Sequence, residues 1–279
     1  MPTAKLNGID LYYEEQGSGE PLILIAGFTA NSLSWVMQMA ILAQKYRVIT
    51  FDNRGIGRSE APEGPYSTHQ MADDTAALLE HLGVERAHVI GWSMGGMIAQ
   101  ELALAHPRKV RRLVLLSSLA RGSEYADPWL NFMTQAYDLV QRGELDPTGF
   151  VLFNMPWTLT PAFLTQPQLV QAALQQLSAN PYPATPRGIA GQAAACREHQ
   201  FGDALERLRG IKAPTLVLVG AEDILTPPSQ SREMAEHIPN ARLQILEHGG
   251  HGMAIEYAMA VNEALLSFLG EQVPAQIPA

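Results

Sequence analysis

Ala87-His88-Val89-Ile90-Gly91-Trp92-Ser93-Met94-Gly95 carries a short apolar run into a serine flanked by glycines, and Met94 to His106 then repeats apolar positions at helical spacing. A G-x-S-x-G motif needs small residues on either side because its serine sits on a sharp, strained turn from strand to helix. The five residues alone are weak evidence. Ordinary Gly and Ser frequencies would give a chain of 279 residues a chance match about one time in ten. The context therefore decides, and a strand entering with a helix leaving is what a nucleophile elbow requires. Ser93 is the candidate nucleophile.

Working outward, the chain opens with a hairpin centred on Asn7-Gly8, a dipeptide that takes positive φ cheaply, with Ile9, Leu11 and Tyr13 alternating after it. Short continuous apolar runs follow: Leu22 to Ala26, Val48 to Phe51, Val89 to Ile90, Leu113 to Leu116, Leu216 to Val219 and Leu243 to Leu246. Such runs suit parallel strands buried on both faces. Helical spacing appears between them, around Ser34 to Leu42, His69 to Leu82, Met94 to His106, Gln230 to His237 and Met253 to Leu269. The alternation predicts an α/β fold with a mostly parallel central sheet covered by helices.

That rhythm stops from about 120 to 206, where eight prolines mix with Trp129, Phe132, Phe150, Phe153, Trp157 and Phe163. The stretch is expected to form an inserted cap of short helices over the C-terminal edge of the sheet, where open α/β sheets bind ligands. The core would then be 1–119 and 207–279, ending in a tail, Val273 to Ala279, expected to fray.

A serine hydroxyl is a poor nucleophile until a base takes its proton, and the base needs a third group to hold its tautomer. The order expected after such an elbow is Ser, acid, His. Leu216 to Val219 ends in Gly220-Ala221-Glu222-Asp223, which puts Asp223 just past a strand, with Glu222 as its local rival. Only His248 and His251 lie beyond the last strand, in Glu247-His248-Gly249-Gly250-His251-Gly252-Met253. His251, between two glycines at the mouth of the final helix, is the expected base. His248 is expected to be structural, and no Cys, His or carboxylate cluster completes a metal site with the pair.

The developing oxyanion needs donors. The Met94 amide follows from the elbow, and Gly27-Phe28-Thr29, after the strand Leu22 to Ala26, offers the Phe28 amide. The alternative is that Gly27 only permits a turn. An apolar wall over Val151 to Trp157 and Pro161 to Leu164 supplies Phe153, Trp157 and Phe163 as candidate substrate contacts, with Trp92 inside the elbow.

The elbow Gly91 to Gly95, the acid loop Gly220 to Asp223 and the histidine loop His248 to Met253 together resemble the α/β-hydrolase fold serine hydrolases, over essentially the whole chain. Phe51-Asp52-Asn53-Arg54-Gly55-Ile56-Gly57-Arg58-Ser59 and Ala105-His106-Pro107 resemble the same family. Met1 to Tyr13, Arg58 to Tyr66 and Ala194-Ala195-Cys196-Arg197 are most similar to carboxylesterases and 3-oxoadipate enol-lactonases. Ala26 departs from the pattern, since many relatives have His before the oxyanion glycine. Serine at 93 separates the chain from dehalogenases and epoxide hydrolases that attack through aspartate.

Composition bounds the rest. Apolar residues make up 47% and charged ones 17%, a globular balance. The net charge of −9 repels phosphate backbones, so no nucleic-acid partner is expected. One cysteine, no apolar run near 18 residues and a polar start lead to the expectation of a soluble, cytoplasmic protein without a membrane partner. Gly55-Ile56-Gly57 lacks the rest of a dinucleotide fingerprint, so no cofactor is expected, and Asp73-Asp74 is expected to be solvated at a helix start. The resemblance implies a carboxylic ester hydrolase, and the apolar wall leads to the expectation of a short to medium acyl chain. Its rivals are an enol-lactonase-like lactone hydrolase, a perhydrolase and a ligand-binding homologue of low turnover.

Overall fold

The computed structural model describes residues 2–178 and 180–271. The tail from Val273 on lies outside the described residues. Among the described residues eight strands form one sheet: β1 (Thr3–Leu6), β2 (Ile9–Gln16), β3 (Glu20–Ile25), β4 (Tyr46–Phe51), β5 (Ala87–Trp92), β6 (Val110–Leu116), β7 (Thr215–Gly220) and β8 (Ala241–Leu246). Their order is β1-β2-β4-β3-β5-β6-β7-β8. β1 and β2 form the hairpin, with Asn7 at φ 48° and Gly8 at φ 82°, and β2 runs antiparallel to β4. From β4 to β8 every pairing is parallel.

The apolar runs map onto these strands for a simple reason. All six residues of β5 and all six of β7 are buried, so both faces are covered, and polar side chains enter only near the strand starts, at His88 and Thr215. β8 is the exception at the sheet's edge, where Arg242 and Gln244 alternate outward. Around the sheet lie α1 (Val36–Leu42), α2 (Thr68–His81) and α3 (Met94–Ala105) in the first part of the chain. α4 (Ala126–Gln141), α5 (Pro147–Thr158), α6 (Pro161–Leu164), α7 (Pro167–Ser178) and α8 (Pro186–Phe201) all fall between β6 and β7. α9 (Ala204–Arg207), α10 (Pro228–His237), α11 (Met253–Glu256) and α12 (Ala258–Leu269) complete the chain. The single helix expected from Met253 to Leu269 is thus broken at Tyr257. Among the described residues no helix is long and apolar enough to cross a membrane.

Two sequence expectations need correction. The helices of the inserted stretch are not all short: α6 has four residues, but α4 and α8 each have 16. Pro147, Pro161, Pro167 and Pro186 stand at the first helical position, where a missing N–H costs nothing, so they start helices instead of breaking them. Asp146, Thr160 and Thr185 precede three of them and cap the first turn by accepting from Gly149, Phe163 and Gly188 amides. Nor is Asp74 solvated. It is buried and takes a bidentate pair from Arg54, at 2.6 and 2.8 Å, with Asn7 at 3.0 Å. Asp73, its neighbour, stays half-exposed beside His106.

A buried polar cluster joins α3 to α8 and to the residues before β7. Glu101 lies 2.7 and 3.0 Å from the Arg207 guanidinium and 3.6 Å from His199. Burial alone would push its carboxyl up, but His199 and Arg207 outweigh that and hold it at about 2. A depressed folded-state value stabilises the fold fully above the unfolded value near 4.5 and loses that contribution as pH falls toward about 2. Glu101→Gln is therefore expected to lower unfolding free energy at pH 7 by about 3 kcal/mol, with the gap to wild type closing between roughly pH 4.5 and 2. Urea unfolding at a series of pH values checks this, and a gap that persists at pH 2 would refute it.

Candidate active site

Ser93 sits between the end of β5 and the start of α3 with φ 57° and ψ −120°, a conformation L-residues rarely hold. It persists because its surroundings over-determine it. A Cβ on Gly91 would lie 2.2 Å from the Gly95 carbonyl oxygen, and one on Gly95 would lie 2.0 Å from that of Ile25. The two glycines of the motif are thus required by close backbone approach. The Ser93 amide donates to Leu116 on β6 and its carbonyl accepts from Ser118 Oγ, at 2.9 and 2.8 Å, which fixes the turn to the neighbouring strand.

The structure brings Ser93, His251 and Asp223 into one chain of hydrogen bonds. Ser93 Oγ is 2.9 Å from His251 Nε2, and His251 Nδ1 is 3.1 Å from Asp223 Oδ2. Asp223 and His251 are buried, at 2% and 6% exposure, so their interaction is poorly screened. Asp223 Oδ1 accepts from the amides of Leu225 and Thr226, which leaves Oδ2 aimed at the imidazole. The rivals stand elsewhere. Glu222 accepts from the Gly249 amide and lies 3.7 Å from an exposed His248, whose ring stacks on Tyr257.

Several residues that hold this arrangement carried no motif. Thr226 Oγ1 donates to Asp223 Oδ2 at 2.8 Å and lies 3.1 Å from His251 Nδ1, so the imidazole N–H faces both the carboxylate and the hydroxyl. Gly220 admits the histidine loop, since a Cβ there would lie 2.0 Å from the Gly249 carbonyl oxygen. The loop is then clamped from the inserted stretch. Gly252 donates to the Thr158 carbonyl at 2.6 Å, while Glu256 bridges the Gly250 amide to Thr160. Thr158 to Thr160 is invisible as a support in sequence because its partners lie nearly a hundred residues away.

At the end of β3, Gly27 passes directly against Ser93, with a Cβ there falling 3.1 Å from Ser93 Cβ. The Phe28 amide follows, and among the described residues no acceptor takes it. Met94 is the first residue of α3, so its amide has no intrahelical partner. The candidate substrate contacts separate. Trp92 packs edge-on against Trp35 and its Nε1 donates to the His251 carbonyl at 3.1 Å, which supports the histidine loop from behind. Phe153 on α5 is half-exposed and packs on Phe132, Trp157 packs against the larger apolar core, and Phe163 stands on α6 after the Thr160 cap. The aromatic that reaches the Phe28 loop is Trp129 of α4, buried, with ring centroids 5.7 Å apart. Among the described residues no group of three His, Cys, Asp or Glu is placed to hold a metal ion.

The order of strands and the turn at Ser93 define a hydrolase scaffold, and the comparisons agree. The family model described as alpha/beta hydrolase fold matches residues 20–257, and the chain belongs to that family. A protein of Azorhizobium caulinodans named "Putative carbamate hydrolase RutD" is 34% identical over 97% of this chain and 99% of its own. Among solved structures, the enol-lactonase from Burkholderia xenovorans LB400 is 29% identical with a TM-score of 0.81, over 97% of this chain and all of that one (100%). A thermophilic esterase from Thermogutta terrifontis is 30% identical with a TM-score of 0.80, over 96% of both chains.

Proposed function

We propose that this hydrolase cleaves uncharged carboxylic esters of short to medium acyl chain through an acyl-enzyme on Ser93. The observation that carries the reading is the hydrogen-bonded line from Ser93 Oγ through His251 to Asp223, at 2.9 and 3.1 Å. Ser93 Oγ attacks the acyl carbon while His251 Nε2 takes its proton, and Asp223 stabilises the imidazolium. The carbonyl oxygen, now an oxyanion, is held by the Phe28 and Met94 amides. Collapse breaks the ester bond, and His251 gives its proton to the departing alcohol. Water then attacks the acyl carbon, its proton passing to His251 and on to Ser93 Oγ as the acid leaves. Helices α4 to α8 act as the cap, and Trp129 against Phe28 offers the acyl chain an apolar contact beside the oxyanion donor.

A second reading, an enol-lactonase, is favoured by the likeness to the solved enol-lactonase. The charges weigh against it. A lactone bearing a free carboxylate needs a cation to offset desolvation, yet each arginine of the inserted stretch has a carboxylate partner. Arg121 pairs with Glu233 and Arg197 with Asp127, at 2.6 and 2.8 Å, while Arg142 pairs with Asp138 and Arg187 with Glu63, at 3.2 and 3.9 Å. Each methylene buried in an apolar pocket is worth about 0.8 kcal/mol, or roughly fourfold. A rate survey over p-nitrophenyl acetate, butyrate and hexanoate, an aryl carbamate and 3-oxoadipate enol-lactone tests the reading. Butyrate or hexanoate is expected to show the highest kcat/KM, and Arg197→Ala to change it little. Faster turnover of the enol-lactone than of any ester, abolished by Arg197→Ala, would replace the ester reading by the lactonase.

A further inference from the structure

The loop that offers the Phe28 amide is a tight turn in an unusual conformation. The Ala30 amide donates to the Gly27 carbonyl at 3.2 Å, closing a turn whose central residues are Phe28 and Thr29. Of those two only Thr29 has positive φ, 63°, the pattern of a type II turn. That position ordinarily takes Gly or Asn, and a β-branched residue there is an outlier that something else must hold.

What holds it comes from the inserted stretch. Gln192, on α8, is fully buried. Its Oε1 accepts from the Thr29 amide at 3.1 Å, and its Nε2 donates to the Arg54 carbonyl at 3.0 Å. The second bond fixes which way the amide faces, because Arg54 is itself anchored by the bidentate pair with buried Asp74. Two glycines let the helix approach closely enough. A Cβ on Gly188 would lie 1.7 Å from the Gly55 carbonyl oxygen, and one on Gly191 would lie 2.4 Å from the Tyr66 ring. On the other side of the turn, Asn53 Nδ2 donates to the Ala26 carbonyl at 3.0 Å, so the chain is held both before and after Gly27-Phe28.

We infer that Gln192 is a positioning residue for the oxyanion hole: by holding the Thr29 amide from the inserted helix, it keeps the Gly27–Ala30 turn in the form that presents the Phe28 N–H to the reacting carbonyl. The inference rests on the reading of Ser93 and Phe28 above. It assigns the inserted stretch a part in transition-state stabilisation as well as in lining the site. An oxyanion donor acts mainly in the transition state, so its misplacement lowers kcat and leaves KM nearly alone.

The test uses Gln192→Met, which keeps length and burial but removes both hydrogen bonds, alone and combined with Thr29→Gly. Measurements are kcat and KM for p-nitrophenyl butyrate and the inhibition constant of an alkyl trifluoromethyl ketone, which adds to serine to give a tetrahedral oxyanion. Gln192→Met is expected to lower kcat roughly 10- to 100-fold, with KM within about twofold and the ketone weakened by a similar factor. Adding Thr29→Gly is expected to restore most of the loss, because glycine takes positive φ without Gln192 to enforce it. Should Gln192→Met not yield folded protein, Gln192→Asn, which falls one methylene short of Thr29, carries the same pair of measurements. Unchanged kcat and ketone affinity, or a loss that Thr29→Gly does not relieve, would overturn the inference. A wild-type protein that neither hydrolyses the ester nor reacts with a fluorophosphonate would instead overturn the reading of the site.

Discussion

Ser93→Ala is expected to leave the protein folded and to reduce ester hydrolysis by about 10⁴-fold or more. The size follows from the site's construction. With the hydroxyl gone no acyl-enzyme forms, and what remains is water attack on an ester held by the oxyanion amides. Folding is expected to survive because Ser93 anchors its turn through backbone groups: its amide bonds Leu116 and its carbonyl bonds Ser118. Among the described residues its Oγ bonds only His251. A far-UV spectrum and thermal midpoint close to wild type, beside the kinetic loss, check both halves. Substantial residual activity would move the nucleophile to another residue.

The second large effect separates the acid and base from their neighbours. His251→Ala is expected to cost about as much as Ser93→Ala, and Asp223→Ala roughly 10⁴-fold in kcat. Glu222→Ala and His248→Ala are expected to stay within about tenfold. Glu222 precedes Asp223 directly and His248 stands three residues before His251, yet Glu222 and His248 face each other at the surface 3.7 Å apart. Asp223 is enclosed, with its carboxylate accepting from two amides and the Thr226 hydroxyl besides His251. Steady-state kinetics on the four variants decide the matter. A worse lesion at His248 than at His251 would refute the assignment of the base.

Most of the fold was legible because its signals are local. Continuous apolar runs mark buried parallel strands, and Asn7-Gly8 marks a hairpin, since each reflects a requirement of the backbone at that place. The elbow is legible because Gly91 and Gly95 stand two residues on either side of Ser93, at places where an added Cβ would fall 2.2 and 2.0 Å from a backbone oxygen. The lengths of the inserted helices are less legible, because a stretch dense in proline suggests short helices, although Asp146-Pro147, Thr160-Pro161 and Thr185-Pro186 spell out a cap followed by a first-turn proline. The burial of Asp74 is not legible in the sequence because its partner, Arg54, is 20 residues away and nothing local reports that a charge turns inward.

Around the site the limit was the same. Thr226 could have been singled out, three residues after Asp223 and ahead of Pro227-Pro228. Trp129, Thr160, Gln192 and Glu256 could not, because each acts on a loop brought close only by the tertiary fold. Trp92 stands inside the motif as a candidate substrate contact, and the structure adds what the motif does not show, that its indole donates to the His251 carbonyl.

The central claim is that Ser93 is the group that becomes acylated. A fluorophosphonate reacts with an activated serine to leave a stable phosphonyl ester on Oγ, and proteolysis with mass spectrometry locates it. One adduct per chain is expected, on the peptide containing Gly91-Trp92-Ser93-Met94-Gly95, formed in step with loss of esterase activity and absent from Ser93→Ala and His251→Ala. Loss of activity with the adduct on any other residue, or labelling of Ser93→Ala at the wild-type rate, would contradict it.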